Sequence, residues 1–336
     1  MKGAAVGTKF LVVDSGKGGI GKTTFSQNLA YLLASLGRQV ALIDTDRQAM
    51  SSNLLDVDAI PKEKWHTITD VIRENVPLLD AMYQARPGLF IVPSSTNIET
   101  AAKHILVEEA QEVMVERIDA LLDSLAPIPN RALPWQQQKD IKIRDFPLLP
   151  RVTGMDVVAS PQFLDYIIFD FGGDPGALGR AIRRIGFSHD LEIWAPVCLE
   201  FMPMQGFAQM VLTVQEMFTA KKKPVPPIHI VPFKVNHRRA ELTTKYLLEL
   251  YFYYPDTTMR SVHDDGAVPK SQEEFPAQTV IEFGRSSRPA KELLELALAV
   301  EGYTGHLEGS ANCDICQEVR QEAQRRRAAQ ATQRKG

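Results

Sequence analysis

The feature that most constrains this chain is a glycine-rich segment lying between an apolar run and a helical pattern. Residues 10–13 form the apolar run, residues 15–24 read Ser-Gly-Lys-Gly-Gly-Ile-Gly-Lys-Thr-Thr, and residues 25–36 have helical character. A strand that ends in such a turn and continues as a helix presents unpaired backbone N–H groups at the positive end of the helix dipole. The order of strand, loop and helix therefore predicts a site for the phosphates of a nucleotide.

Within this loop, Gly16, Gly21, Lys22 and Thr23 fit the pattern G-x-x-x-x-G-K-[ST]. Lys22 is expected to reach the β- and γ-phosphates, and the Thr23 hydroxyl is expected to bind magnesium. ATP and Mg²⁺ are the predicted cofactors. The predicted nucleotide-binding residues of the loop are Gly16, Lys17, Gly18, Gly19, Ile20, Gly21, Lys22, Thr23 and Thr24.

Carboxylates follow two further predicted strands. Residues 39–43 lead to Asp44-Thr45-Asp46, and residues 165–170 end at Asp170. Ligands bind at the carboxyl ends of strands in open α/β sheets, so we expect Asp44 and Asp170 to hold the metal together with Thr23. The alternative for either aspartate of the Asp-x-Asp element is that it caps a turn.

Strands alternate with helices along most of the chain, which predicts an α/β fold of the P-loop NTPase type, with a doubly wound, mainly parallel sheet flanked by helices. Further strands are expected at residues 88–93, 191–196 and 228–235, and helices at residues 68–75, 80–85, 100–124, 205–219 and 291–300.

The domain organisation is predicted from composition. Residues 1–302 are expected to form a single ATPase domain, interrupted by a polar insertion with six prolines at about residues 127–163. Residues 303–336 form a polar, basic tail that we expect to be frayed or disordered.

Charge and hydropathy restrict the partners. The formal net charge of the 336 residues is −3, so DNA binding would depend on local clusters such as Arg180, Arg183 and Arg184, residues 221–223, residues 237–239, or the arginines of the tail. Each cluster has an equally simple interpretation as solvated surface charge. A polar N-terminus and the lack of an apolar run of about 18–20 residues predict a cytoplasmic protein.

The chain has three cysteines, which suits a reducing compartment. Cys198 is expected to lie in a buried strand. Cys313 and Cys316 form one C-x-x-C, which is half of a zinc site that His306 or the thiols of a second chain would complete. The favoured interpretation is a pair of free thiols in the tail.

A lysine directly after the first glycine of the loop resembles the deviant Walker A motif of the ParA/MinD ATPases. With Asp44-Thr-Asp46 and the strand ending at Asp170, the resemblance to the ParA branch extends over roughly residues 9–302, the insertion excepted. It implies that Lys17 crosses an ATP-sandwiched dimer interface to the partner's phosphates and acts in catalysis. It also implies that Asp46 positions the attacking water and that Asn236 lies beside the adenine.

The resemblance further implies an enzyme that hydrolyses ATP to ADP and phosphate and partitions or positions plasmid or chromosomal DNA. Its expected partners are a second copy of the chain, a ParB-like activating protein and non-specific DNA, and its expected location is the nucleoid. The alternatives are a nucleotide-dependent adaptor for conjugation or other cargo, a MinD-like ATPase on a membrane surface, and a metal-cluster carrier. Membrane binding is disfavoured because the tail has only Ile315 and Val319 as large apolar residues near its basic run.

Two positions depart from the pattern of the family. Arg47 stands where the family usually has proline, and Phe171-Gly172-Gly173 stands where it usually has a turn with proline. Both lie in expected switch segments, which comprise Asp44, Asp46, Gly172 and Gly173. The departures put the rate of hydrolysis and the activating partner in question more than nucleotide binding.

Overall fold

A computed structural model describes residues 7–107, 110–173, 176–236, 240–271, 273, 277–303, 306–308 and 313–333. Its strands are β1 Lys9–Val13, β2 Val40–Asp44, β3 Tyr83–Arg86, β4 Leu89–Val92, β5 Asp140–Lys142, β6 Tyr166–Asp170, β7 Leu191–Cys198, β8 Ile228–Val235, β9 Val262–His263 and β10 His306–Glu308. Its α-helices are α1 Lys22–Ser35, α2 Ile68–Arg73, α3 Ile98–Val107, α4 Val113–Ser124, α5 Gly176–Arg183, α6 Phe201–Ala220, α7 Ala240–Tyr253, α8 Ala267–Lys270, α9 Val280–Gly284, α10 Arg288–Val300 and α11 Asp314–Gln333.

The main sheet has eight strands in the order β3-β4-β2-β6-β1-β7-β8-β9. All neighbours are parallel except the edge pair of β3 and β4, which is antiparallel. β1 lies between β6 and β7, and its last residue, Val13, aligns with Asp170. The carboxyl ends of the central strands therefore meet at the start of the glycine-rich loop, and the predicted fold class is confirmed.

Helices cover both faces of the sheet, so its central strands are buried on both sides. Alternate side chains of β1 enter different cores: Phe10 and Val12 pack on one face, and Leu11 and Val13 on the other. One core includes residues of α2 to α7, and the other includes residues of α1 and α10.

The proline-rich insertion contributes to the core that contains α1. Its buried side chains are Leu133, Trp135, Ile141, Phe146 and Val157. The indole N–H of Trp135 donates to the carbonyl of Leu36 over 2.9 Å, and β5 pairs in parallel with β10. The segment is an excursion from the sheet that nevertheless packs as part of the same core.

Two predicted helices differ in the structure. The predicted helix at 100–124 is two helices, α3 and α4; the apolar residues Ile105 and Val113 are eight apart, so they stay in phase with one continuous helix and the break leaves no periodic signal. The predicted helix at 80–85 is a 3₁₀ turn, Leu78–Ala81, followed by β3, because so short a segment carries too few residues to distinguish the two periods.

The C-terminal tail also differs from expectation, because it contains the 20-residue helix α11. Val319 and Ala323 are buried in the core, and Ile315 and Cys316 pack against it. Ile315, Val319 and Ala323 lie four residues apart along the helix. Together with Cys316 they form one narrow apolar stripe, which is sufficient because α7 supplies a matching surface. Arg320 of α11 stacks over the ring of Tyr251 at 5.3 Å.

Within the described ranges, no helix combines the length and the apolar character needed to cross a bilayer.

The packing of the insertion gives the first prediction. Trp135→Ala should lower the free energy of unfolding by about 3 kcal/mol or more, because it leaves a cavity and removes the hydrogen bond to Leu36. Trp135→Phe should cost only about 1–2 kcal/mol. Urea denaturation measures both, and equal midpoints for the wild type and Trp135→Ala would show that the insertion does not support the domain.

Candidate functional site

Two glycines of the loop after β1 pack so closely against other elements that no side chain fits in their place. Gly16 and Gly21 have φ values of +72° and +102°, and a Cβ atom at Gly16 would collide with the carbonyl of Gly206 in α6. A Cβ at Gly21 would collide with the ring of Phe233 in β8. Only glycine fits at these two positions, so the loop is held in shape by α6 and β8 together.

Lys22 begins α1 and turns back into the loop. Its side chain is buried, and its ammonium group donates to the carbonyl of Lys17. Burial lowers the pKa of Lys22, while the carboxylates of Asp14, Asp170 and Asp46 act in the opposite direction. The loop thus encloses a cation that faces three acidic side chains.

Asp14 anchors the loop to the helix that follows β6. One carboxylate oxygen of Asp14 accepts from the backbone N–H of Gly16 over 3.0 Å, and the other is paired with the guanidinium of Arg183. Both side chains are buried, and the guanidinium lies 5.6 Å from the ring centre of Phe171. This ion pair fixes the loop relative to α5.

The predicted metal-binding aspartates lie side by side. β2 and β6 pair in register, with Asp44 opposite Asp170, and both side chains are fully buried. Asp44 accepts from the backbone N–H of Asp46 and from both the N–H and the hydroxyl of Ser52, over 2.9–3.0 Å. Asp170 accepts from the hydroxyl of Ser51 over 2.7 Å through Oδ2.

Burial and mutual repulsion make this pair reluctant to ionise. Burial, followed by the charge of Asp170, raises the pKa of Asp44 to about 7. Burial raises the pKa of Asp170 to about 6, although the hydroxyls of Ser51, Thr23 and Ser26 oppose the shift. Two such carboxyl groups on adjacent strand ends would gain from a bound cation.

The donor set fits magnesium. Oδ1 of Asp170 is buried and has no hydrogen-bond partner among the described residues, and Thr23 is close enough to influence the Asp170 carboxyl group. Carboxylate and hydroxyl oxygens are ligands that a hard divalent cation prefers. The predicted set of Thr23, Asp44 and Asp170 is therefore brought together at one place.

The predicted switch residues lie against each other. A Cβ atom on Gly172 would come 2.8 Å from Oδ1 of Asp46, and a Cβ atom on Gly18 would come 3.5 Å from the Cα of Gly173. Oδ1 of Asp46 also accepts from the N–H of Gln48 over 3.1 Å. The segment after β6 therefore runs between Asp46 and the glycine-rich loop.

The two departures from the family pattern have separate structural roles. Arg47 is exposed and forms an ion pair of 3.0 Å with Glu99 of α3, whose side chain is also exposed. Such a pair contributes little stability. Phe171 is fully buried in the core, so it fixes the backbone just before Gly172.

A cavity of about 510 Å³ opens beside the loop. Residues 17–20 line one side, and Asn236 and Asp264 line another. Lys234, in the left-handed region at φ +55°, donates from its ammonium group to the carbonyl of Gly19 over 3.0 Å. Asn236 thus lines a cavity that adjoins the glycine-rich loop.

Several residues of this site were not identified from the sequence. Asp14 and Ser51 are each close in sequence to a recognised motif, yet their partners are more than 100 residues away. Gly206 did carry a signal, because a glycine inside a helical pattern often marks close packing. Lys234 carried none, since its role depends on its backbone conformation.

One predicted DNA-binding cluster is wrong. Arg180, Arg183 and Arg184 do not form a basic face: Arg183 is buried against Asp14, and Arg184 is paired with Glu112. Arg183 and Arg184 lie three and four residues after Arg180, a spacing that places each on the same face of a helix as Arg180, but the Arg183 side chain turns into the protein to pair with the buried Asp14 carboxylate. Residues 221–223 are exposed, and residues 237–239 lie outside the described part.

A comparison with protein families matches residues 11–275 to the CobQ/CobB/MinD/ParA nucleotide-binding domain. The chain belongs to this family. The match covers the loop, both aspartate-bearing strands and β8, and it includes the insertion. The predicted family is thereby confirmed, and proteins similar to this chain include a septum site-determining protein, MinD, and a chromosome partitioning protein, ParA.

Individual relatives are similar over different lengths. Soj of Bacillus subtilis, a sporulation initiation inhibitor protein, is 22% identical over 87% of this chain and 98% of its own. An ATP-binding protein of Methanocaldococcus jannaschii is 31% identical over 33% of this chain and 42% of its own. The flagellum site-determining protein YlxH of Helicobacter pylori is 34% identical over 35% of this chain and 38% of its own. The chain thus spans less than half the length of the last two relatives.

Solved structures support the fold. McdA of Cyanothece in complex with ATP has a TM-score of 0.64 at 17% identity, covering 88% of this chain and 97% of that one. MinD of Pyrococcus horikoshii with Mg-ADP has a TM-score of 0.57 at 17% identity, covering 88% and 96%. At this identity the likeness shows the architecture, a mostly parallel sheet flanked by helices.

The buried ion pair gives a prediction with a matched control on the same helix. Arg183→Met should lower the free energy of unfolding by about 3–5 kcal/mol, because the buried Asp14 carboxylate loses its partner. Arg180→Met, at an exposed position one turn earlier, should change it by less than about 0.5 kcal/mol. Equal unfolding midpoints in urea for the two variants would contradict the assigned role of Arg183.

The paired carboxyl groups give a third prediction. Asp170→Asn should raise the free energy of unfolding at pH 8 in EDTA by about 1 kcal/mol, because it removes a buried like charge. Asp165→Asn makes the same change where the carboxylate accepts from Arg131 and from the N–H of Gln39, and it should lower stability by about 1–2 kcal/mol. Thermal unfolding measures both, and a loss of stability in Asp170→Asn would contradict the interpretation.

Proposed function

We propose that this protein is a nucleotide switch that binds and hydrolyses ATP, forms an ATP-sandwiched homodimer, and partitions or positions DNA with a ParB-like activating protein. The observation that carries the proposal is the disposition of two lysines in one loop. Lys22 is buried and faces Asp14 and Asp170, whereas Lys17 is half-buried and lines the cavity. In the proposal, Lys22 binds the chain's own nucleotide and Lys17 contacts that of a neighbouring molecule.

The roles of the remaining residues follow from their positions. The loop amides and Lys22 bind the phosphates, and Thr23, Asp44 and Asp170 hold Mg²⁺, which neutralises charge on the phosphates when bound. Asp46 accepts a hydrogen bond from the attacking water and orients it. Gly172 allows the backbone after β6 to approach Asp46 closely, so this segment can respond to the γ-phosphate.

An exposed apolar patch beside the loop supports dimerisation. Phe201 and Met202, at the start of α6, have 60% and 55% of their surface exposed, and Met202 lines the cavity together with Lys17. Large exposed apolar side chains next to a charged site are typical of interaction surfaces. A partner copy seated there would cover the nucleotide and receive Lys17.

Local positive charge supports the proposed binding to DNA. We accordingly propose that the protein is located at the nucleoid, in the cytoplasm. Residues 221–223 are exposed lysines after α6, and α11 presents Arg325, Arg326 and Arg327. Contacts of such groups with phosphates give non-specific binding that weakens steeply with salt.

The test of the catalytic roles uses two variants and a surface control. Lys17→Ala should retain ATP binding and lose at least about 100-fold in turnover, because it removes the charge proposed to stabilise the transferring phosphate. Asp46→Ala should trap the ATP-bound dimer, and Lys62→Ala, an exposed lysine far along the chain, should behave as wild type. Turnover is measured by phosphate release and dimerisation by size-exclusion chromatography with light scattering.

Two outcomes would contradict the roles. If Lys17→Ala hydrolyses ATP at the wild-type rate, Lys17 is not the cross-dimer residue. If Asp46→Ala stays monomeric with ATP, Asp46 does not control release of the dimer.

The test of the cargo compares binding to DNA with binding to a membrane surface. In a DNA mobility-shift assay, the protein should retard DNA with ATP but not with ADP, and the retardation should decrease as the salt concentration rises. Sedimentation with vesicles of anionic phospholipid and ATP should show no enrichment. The opposite pair of results would favour a MinD-like role on membranes, and binding to neither surface would favour an adaptor.

A further inference from the structure

A second cluster of reactive side chains lies at the edge of the main sheet, on β9 and the start of α11. It comprises His263 of β9 together with Cys313 and Cys316, and one ligand atom from each residue lies within 4.8 Å of the other two. His263 is buried and the cysteines are partly buried. None of these residues takes part in the nucleotide site.

We propose that His263, Cys313 and Cys316 form a zinc site that fastens α11 to the edge of the sheet. Two thiolates and an imidazole match the preference of Zn²⁺ for nitrogen and sulfur ligands, and a fourth position remains for water or an added ligand. A tetrahedral site of this kind places its ligand atoms about 3.5–3.8 Å apart. The three ligand atoms, which lie within 4.8 Å of one another, would close to this spacing around a bound zinc ion.

A buried carboxylate orients the histidine. Oε1 of Glu292 lies 2.6 Å from Nδ1 of His263, and Oε2 accepts from the backbone N–H of His263 over 2.8 Å. The Glu292 side chain is 1% exposed. With the Nδ1 proton directed at Glu292, the lone pair of the ring is on Nε2, the atom that binds metal in carboxylate–histidine–zinc arrangements.

Arg288 holds its guanidinium within hydrogen-bonding distance of that lone pair. Its guanidinium lies 3.0 Å from Nε2 of His263 and also donates to Glu292 over 2.9 Å. The Arg288 side chain is 33% exposed, so it can turn toward solvent while keeping its contact with Glu292. Zinc binding therefore also requires that this flexible, partly exposed side chain move away from Nε2.

Cys313 directly precedes α11, and Cys316 lies in the first turn of that helix. The backbone N–H of Cys316 donates to the sulfur of Cys313 over 3.2 Å. An N–H donor of this kind favours the thiolate form that binds metal. A cavity of about 190 Å³, lined by Arg260, Gln317 and Arg320, adjoins the three ligands and leaves room for the fourth.

The first experiment counts metal. Protein stripped with chelator under reducing conditions is titrated with Zn²⁺, and Co²⁺ is used as the spectroscopic substitute. The wild type and Cys198→Ser should each bind one equivalent, with thiolate-to-cobalt charge transfer and tetrahedral visible bands. Cys198→Ser is the matched control because it removes a thiol outside the cluster.

Ligand variants locate the site. Cys313→Ser and His263→Ala should each weaken zinc affinity by more than about 100-fold, and Glu292→Gln by about 10–100-fold with the cobalt bands retained. Cys313 is partly exposed, so its serine variant should fold. The circular dichroism of each metal-free variant checks this, and the cobalt spectrum of the wild type tests the thiolate ligands without any substitution.

A second measurement tests the fastening of α11. Zinc should slow tryptic cleavage at Arg325, Arg326 and Arg327 in the wild type and in Cys198→Ser, and should have no effect on Cys313→Ser. Four results would overturn the proposal: no stoichiometric zinc, zinc binding unaffected by Cys313→Ser, a Cys313–Cys316 disulfide in protein prepared with reductant, or iron with inorganic sulfide. None of these depends on ATP hydrolysis.

Discussion

The burial of two carboxyl groups on neighbouring strand ends governs the chemistry of this fold. Asp44 and Asp170 stand opposite each other in the register of β2 and β6, where solvent does not reach them. The chain offsets the cost with hydroxyl donors from Ser51 and Ser52 and with the nearby ammonium group of Lys22. The compensation is incomplete, since one oxygen of Asp170 has no partner among the described residues. A bound cation would interact with this buried oxygen and so lower the free-energy cost of burying the carboxylate.

The glycine-rich loop is preorganised by parts of the chain that are distant in sequence. Asp14 and Arg183 fix its start, while Gly206 and Phe233 press on its two tightest positions. A loop held in this way loses little conformational freedom when it binds a ligand, so less of the binding energy is spent on ordering it. The same contacts couple the loop to α5, α6 and β8.

The sequence predicts the parts of the site that are continuous along the chain. The loop is a run of ten residues, and Asp44 and Asp170 are recognisable because they end apolar strands. Pairings over long separations leave no local pattern: Arg183 looks like a surface arginine until Asp14 is seen beside it, and His263 lies 50 residues before Cys313. The sequence pattern did not reveal the buried residues of the insertion or the apolar stripe of α11. A few apolar side chains are enough to dock such a segment when a neighbouring element supplies the rest of the core.

The contact between Gly206 and Gly16 has a mechanical consequence. α6 carries exposed apolar side chains at its first turn and touches the loop barely one turn later. Because Phe201 and Gly206 belong to the same helix, a displacement of the exposed surface at Phe201 would also move the backbone that packs against Gly16. The helix thus connects an outer surface to the phosphate-binding loop, and a Cβ atom at residue 206 would come within 3.2 Å of the carbonyl oxygen of Gly16.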